Sequence, residues 1–142
     1  MNMSAKKKEL TDAQILKQPA KNYMNEEQLA FFKKRLLDYR AATYERIENT
    51  RKRMVKPMGL SDQNDRASSE EQSNLALRIV DREQKLLRKI EKSLIRISSG
   101  DYGYCLESGE EIGLPRLLAR PTAEYSAEVK TLMEMREHNY YN

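Results

Sequence analysis

With 142 residues, no Trp, five Gly and 34% charged against 39% hydrophobic side chains, the chain has the balance of a helical protein laced with solvent, which argues against a β-sandwich or an α/β enzyme. The net charge of +4 is mildly basic, but Lys and Arg alternate with Asp and Glu, and no compact basic patch with interleaved aromatics marks a nucleic-acid stripe. No apolar run reaches the length of a membrane span, Lys6-Lys7-Lys8 is not followed by the apolar segment of a signal peptide, and one cysteine makes no internal disulfide, in keeping with a cytoplasmic protein.

Residues 1–25 read as an N-terminal segment packing near the base of a helical hairpin, polar, lysine-rich and broken by Pro19, with a short helix predicted near Thr11–Leu16. Asn25 is a good N-cap for a long helix that opens with the acids Glu26 and Glu27. Along that helix Leu29, Phe32, Leu36, Tyr39, Thr43, Ile47, Thr50 and Met54 recur at 4-3 spacing with one 4-4 step. Pro57 and Gly59 are expected to stop it.

A second long helix comes next, in which Ala76, Val80, Glu83, Leu87, Ile90, Leu94 and Ile97 keep an unbroken 4-3 spacing, the seam of a coiled coil. Ser68-Ser69-Glu70-Glu71 is a candidate capping box near its start. Residues 26–98 are therefore predicted to form an antiparallel hairpin with its tip near 57–70, each arm roughly 45 Å long at 1.5 Å per residue. Ser98-Ser99-Gly100-Asp101 ends the second arm with turn chemistry. Residues 99–142 form a small globular region with Ile112, Leu114, Leu117 and Leu118, closed by a helix over Ser126–Glu137 that turns Val129, Leu132 and Met133 inward. The fold class is all-α.

Three groups could carry function. Asp62 and Asp65, followed by Arg66 and Ala67, stand at the tip, where acids serve as helix caps or reach into a narrow space toward basic groups or a metal; spacing alone does not separate these readings. Arg82, Leu86 and Lys89, four and three apart, form a stripe beside the seam that either snorkels or holds a phosphorylated or acidic ligand. Arg116, Arg120 and Lys130 add positive charge further on. Cys105 and His138 are the only residues of their types, so a tetrahedral zinc set is not available, and no nucleophile–base pair or phosphate-cradling glycine loop indicates an enzyme.

Tyr23-Met24-Asn25-Glu26, Asp62-Gln63-Asn64-Asp65-Arg66-Ala67, the run from Asp81 to Lys92, Tyr102-Gly103-Tyr104-Cys105 and Ala119-Arg120-Pro121-Thr122-Ala123 together resemble the DksA/TraR family of bacterial RNA polymerase regulators, over roughly Tyr23–Arg136. The resemblance implies a factor that is not an enzyme. It binds RNA polymerase, inserts its tip through the secondary channel and modulates initiation through Asp62, Asp65 and Ala67, without sequence-specific DNA binding or a membrane. It further implies that ppGpp acts as co-regulator between factor and polymerase, at positions matching Arg82, Leu86, Lys89 and Lys130, with Arg120 as a contributor. The family's four zinc-binding cysteines correspond here to Cys105, Ser108, Ser126 and Val129, which points to a zinc-independent branch with no resident cofactor, expected to act as a monomer. The competing readings are a transcript-cleavage factor working through the same channel and a coiled-coil adaptor that never touches polymerase.

Overall fold

The computed structural model describes residues 9–54 and 63–141, the side chains at 63–66, 140 and 141 excepted. In chain order these form α1 (Asp12–Leu16), one 3-10 turn (Ala20–Asn22), α2 (Glu26–Met54), α3 (Gln63–Ser99), α4 (Leu114–Ala119) and α5 (Ala127–Tyr141). The β pairing among the described residues is a single antiparallel bridge between Tyr104 and Glu111. The chain divides into two compact units, one made of the segments up to Leu36 and from Ser93 onward, the other of Leu37–Lys92.

The Leu37–Lys92 unit pairs α2 with α3 in antiparallel fashion, as its two cross-helix ion pairs show: Arg40 with Glu91 at 3.1 Å and Arg46 with Glu83 at 2.9 Å. Its seam follows the 4-3 pattern, with Thr43, Ile47 and Thr50 of α2 buried alongside Val80, Glu83 and Ile90 of α3. The two seam threonines satisfy their hydroxyls within their own helix, Thr43 donating to the Tyr39 carbonyl and Thr50 to that of Arg46, both at 2.8 Å. Arg51, Lys52 and Arg53 in the last turn of α2 complement the negative end of its dipole.

The start of α3 differs from expectation. The helix begins at Gln63, so Ser68 and Ser69 lie inside it and the predicted capping box at Ser68–Glu71 is not its N-terminus. The stretch from Gln63 to Glu70 includes Asn64, Asp65, Ser68 and Ser69 but neither Gly nor Pro, so nothing in it breaks the helix before Ser68. Pro57 and Gly59, the expected stop of the first arm, lie outside the described residues.

The other unit is built round a small core of fully buried Ile15, Phe32, Leu36, Tyr102 and Leu117. The N-terminal segment is part of that core: Thr11 and Gln14 close a reciprocal capping box on α1, and α1 packs on α4. Asp12 then grips the Arg35 guanidinium of α2 through both carboxylate oxygens, and that hydrogen bonding lowers its pKa. At the head of α2 Asn25 accepts the Gln28 N–H at 2.9 Å, and Gln28 reaches back to accept from Met24 N–H at 3.0 Å.

Tyr23 ties the pieces together. Its hydroxyl donates to the Gly103 carbonyl at 2.6 Å and accepts from the Gly113 N–H at 2.9 Å, while its ring meets Tyr104 edge-on at 5.6 Å. Burial is the main cause that pushes this hydroxyl up to about 12, so it stays protonated and donating. Tyr102 repeats the device from the other side, stacking against Phe32 at 5.5 Å and donating to the Pro121 carbonyl at 2.7 Å. Gly103 is required twice over, because its φ is +95° and a Cβ there would come within 2.7 Å of the Met24 side chain. Met24 itself occupies the left-handed region at φ 53°, a strained position held by the Gln28 contact and by packing on Gly103.

The final helix starts at the expected place, with Ser126 accepting the Val129 N–H at 3.2 Å, and runs on to Tyr141. One expectation fails along it: Leu132 is 52% exposed and faces solvent, whereas Val129 and Met133 are partly buried. The buried side of α5 near Leu132 is narrow, so Val129, Lys130 and Met133 are half covered while Thr131 and Leu132 are left in water.

Replacing Tyr23 by Phe removes one donor and one acceptor and leaves the Gly103 carbonyl and Gly113 N–H without it. Urea or thermal unfolding should show a loss of about 1–3 kcal/mol. A variant as stable as wild type would remove Tyr23 from its role as a tie.

Candidate functional site

The Arg82, Leu86 and Lys89 side chains lie where a helix must put them, on consecutive turns of one face of α3, with Arg82 and Lys89 exposed and Leu86 half-buried between them. The two cationic positions are about 10 Å apart along the axis, seven residues at 1.5 Å each. A guanidinium and an ammonium flanking an apolar step have the chemistry to hold a phosphorylated ligand or an acidic partner surface. Neighbouring Lys85 is paired with Asp81 at 3.3 Å across one turn, which leaves the stripe defined by Arg82 and Lys89.

Arg120 and Lys130 belong to the other unit. Arg120 is exposed just after α4, and Lys130 is half-buried in the first turn of α5. Ala67 is exposed on the second turn of α3, and Asp65 lies two residues before it on the first turn, so Asp65 is a helical residue rather than part of the turn expected there. Asp62 lies outside the described residues.

Cys105, Ser108 and Ser126 are brought together. Burial raises the Cys105 thiol pKa, but hydrogen bonds from the Ser108 hydroxyl and from the N–H groups of Ser108, Ser126 and Glu107 outweigh it and lower the pKa to about 6. The loop is braced by Arg96 at the end of α3, whose guanidinium donates to the carbonyls of Asp101 and Tyr104. Ser126 is committed to capping α5, and Val129, one turn on, offers only an isopropyl group.

Reading the residues alone missed three that organise these sites: Arg46, Arg96 and Tyr23. For Arg46 a signal existed, since a glutamate at seam position 83 demands a cation from the facing helix. For Arg96 and Tyr23 the partners are mostly backbone groups of distant loops, which leave no mark in the sequence.

Residues 28–97 match the family described as DnaK suppressor protein DksA, N-terminal domain, and residues 100–134 match the prokaryotic dksA/traR C4-type zinc finger. The chain is similar to the RNA polymerase-binding transcription factor DksA of Escherichia coli (strain K12), 44% identical over 120 residues that cover 84% of this chain and 80% of that protein. The protein of the same description from Haemophilus influenzae is 45% identical over 116 residues, covering 81% of this chain and 80% of its own length. Among solved structures, that of transcription factor DksA2 from Pseudomonas aeruginosa has a TM-score of 0.82 and 44% identity, covering 90% of this chain and 99% of that one.

A four-cysteine zinc finger does not fit the residues found here. One thiol, two hydroxyls and an isopropyl group stand at the four positions, and zinc needs about four N, S or O donors of thiolate, imidazole or carboxylate type. Among the described residues no group of three or more His, Cys, Asp or Glu side chains could hold a metal ion.

The Cys105 environment has a pH consequence. The thiol titrates at about 6 in the folded chain against an ordinary 9.0, so the folded state releases the proton first. Stability should rise between these two pH values, be fully present above the upper one and be lost as pH falls through about 6. Cys105→Ser should flatten that part of the stability–pH curve, and thiolate ultraviolet absorbance should develop near the lower value; a thiol that titrates at its ordinary pKa would contradict the hydrogen-bonded cradle.

Proposed function

The chain belongs to the DksA family of RNA polymerase-binding transcription factors, and from that membership we propose that it binds RNA polymerase directly and regulates initiation through the secondary channel, with ppGpp as co-regulator and without zinc. It acts as a monomer in the cytoplasm, is not an enzyme, and requires no sequence-specific contact with DNA. The observation that carries the reading is the antiparallel α2–α3 pair, on which Arg82 and Lys89 face outward round Leu86. In this reading Asp62, Asp65 and Ala67 act near the polymerase active site. Arg82, Leu86, Lys89, Arg120 and Lys130 serve the polymerase rim and ppGpp. Among the described residues no helix is long and apolar enough to cross a membrane.

The zinc-independent part rests on chemistry already described. Where a metal would tie the finger, the Tyr23 hydroxyl, the Arg96 guanidinium and the Tyr102 hydroxyl tie its loop to surrounding backbone. These contacts need neither thiolates nor a metal supply.

One promoter assay with purified polymerase tests the reading. Asp62→Asn with Asp65→Asn should leave polymerase pull-down and helicity intact, since an acid-to-amide change of the same shape outside a packed core shifts stability by about 0.5 kcal/mol or less, yet abolish the effect on transcription. In the same assay Lys89→Ala should keep basal activity and lose most of the ppGpp enhancement, a charge-assisted contact being worth roughly 1.5–3 kcal/mol. A fully active double variant removes the tip assignment, an unchanged ppGpp response removes the stripe, and cleavage of RNA in backtracked complexes converts the reading to a cleavage factor.

Metal analysis is the complementary test. The purified protein should carry no stoichiometric zinc and should melt at the same temperature with and without chelator. About one zinc per chain, with melting lowered by chelator, would overturn zinc independence and leave polymerase binding standing.

A further inference from the structure

Arg120 and Lys130 stand on different elements, and no helical periodicity relates them. Arg120 is the residue at which α4 ends, with non-helical dihedrals of φ −142° and ψ 87°. The direction it takes therefore follows from the chain beyond it and not from the turns of α4. Lys130 is the fourth residue of α5, and the Ser126 carbonyl holds its N–H at 2.9 Å, so it goes where the head of that helix goes. The placement of one cation relative to the other rests on the connector from Arg120 to Ser126.

That connector is tied along its length. The Arg120 carbonyl accepts from the Ala123 N–H at 3.0 Å and closes a turn. The Pro121 carbonyl accepts from the Tyr102 hydroxyl at 2.7 Å, and the Glu124 carbonyl from the Leu106 N–H at 2.8 Å. Pro121, Thr122 and Ala123 are buried. The Tyr125 carbonyl, immediately before the Ser126 cap of α5, accepts from Arg116 Nε at 2.9 Å. Of these bonds, that one runs from α4 itself to the lead-in of α5. Arg116 lies one turn before Arg120, and its own carbonyl accepts the Arg120 N–H at 2.8 Å. One residue thus grips both the end of α4 and the segment that leads to Lys130. Its half-buried guanidinium is turned on a neutral carbonyl, whereas Arg120 is exposed.

We propose that Arg116 is a positioning residue: its grip on the Tyr125 carbonyl sets the head of α5 against the end of α4, and with it the placement of Lys130 relative to Arg120. A bond from a charged donor is roughly twice as strong as a neutral one, which suits a clamp on a connector held at both ends. The proposal rests on the function proposed above only where that reading assigns Arg120 and Lys130 to the polymerase rim and ppGpp.

Three substitutions in the full chain separate a clamp from a ligand contact. In Arg116→Gln the amide Nε2 takes the place of the arginine Nε along the side chain, so the donor is kept and the charge is lost. Arg116→Lys keeps the charge and moves the donor one atom outward, and Arg116→Met keeps the stem alone. The readouts are hydrogen exchange at the Val129 and Lys130 amides, both held by Ser126, and the ppGpp concentration giving half of the full effect in a promoter assay. Arg116→Met should speed exchange at both amides about fivefold or more and raise that concentration about tenfold, with the effect measured without ppGpp retained. Arg116→Gln should stay within about threefold of wild type in both. An Arg116→Met that exchanges like wild type overturns the proposal, as does an Arg116→Gln as loose as Arg116→Met. A ppGpp response that Arg116→Lys preserves and Arg116→Gln loses also overturns it, since the guanidinium then touches phosphate directly. If Arg116→Met fails to fold, the glutamine and lysine variants decide by themselves. Lys130→Ala is the reference for the assigned site. An unchanged ppGpp response in a loosened Arg116→Met overturns the proposal where Lys130→Ala weakens that response. Where Lys130→Ala leaves the response unchanged too, the site assignment falls and the clamp stands.

Discussion

A protonated, half-buried tyrosine hydroxyl is the constraint on which the unit formed by the two ends of the chain depends. Tyr23 spans two loops that lie 80 and 90 residues further along the chain, donating to one and accepting from the other. A single oxygen serves both because a phenol is donor and acceptor at once. Burial raises its pKa, so the donating proton stays in place throughout the physiological range. The neighbouring residues conform to it: Gly103 has no side chain because Met24 fills that space, Met24 bears a left-handed backbone, and Asn25 begins α2 in the next residue. A small finger with a single thiol at its four matching zinc positions is held by contacts of this kind, since its own apolar side chains are few.

The hairpin unit obeys the opposite logic. Its seam is near-periodic, with one 4-4 step in α2, and cross-helix ion pairs accompany it. Thr43 and Thr50 weaken the apolar seam while satisfying their hydroxyls within α2, and Glu83 makes the layer between them polar. In the first unit a polar tie joins segments that have no periodic relation. In the second the Arg46–Glu83 pair joins two helices whose seam is already periodic.

The candidate functional groups divide in the same way. The Arg82–Leu86–Lys89 stripe was legible without a structure because 3.6 residues per turn places i, i+4 and i+7 together on any helix. The unsuitability of the zinc positions was equally legible, since a serine hydroxyl and a valine side chain have the same donor chemistry wherever they sit. What could not be read was that backbone N–H groups of this cluster turn toward the Cys105 sulfur. That arrangement depends on how the loops at 107–108 and 126 close, and a loop's closure is decided by what packs on it.

The sequence by itself determined both long helices, the Asn25 cap, the short helix after Thr11, the Ser126 start of the last helix and the all-α class, because these follow from periodicity and side-chain chemistry within one or two turns. It misplaced the start of α3, where Ser68-Ser69-Glu70-Glu71 imitates a capping box inside a helix already under way, and it turned Leu132 inward, where the packing of the unit leaves it in water. Only the tertiary structure decided that Arg46 answers Glu83, that Arg96 braces the loop before Cys105, and that Tyr23 joins Gly103 to Gly113. The physical reason is range. Helical order is set by neighbours three and four residues away, whereas a buried hydrogen bond takes whichever partner the packed chain brings within about 3 Å.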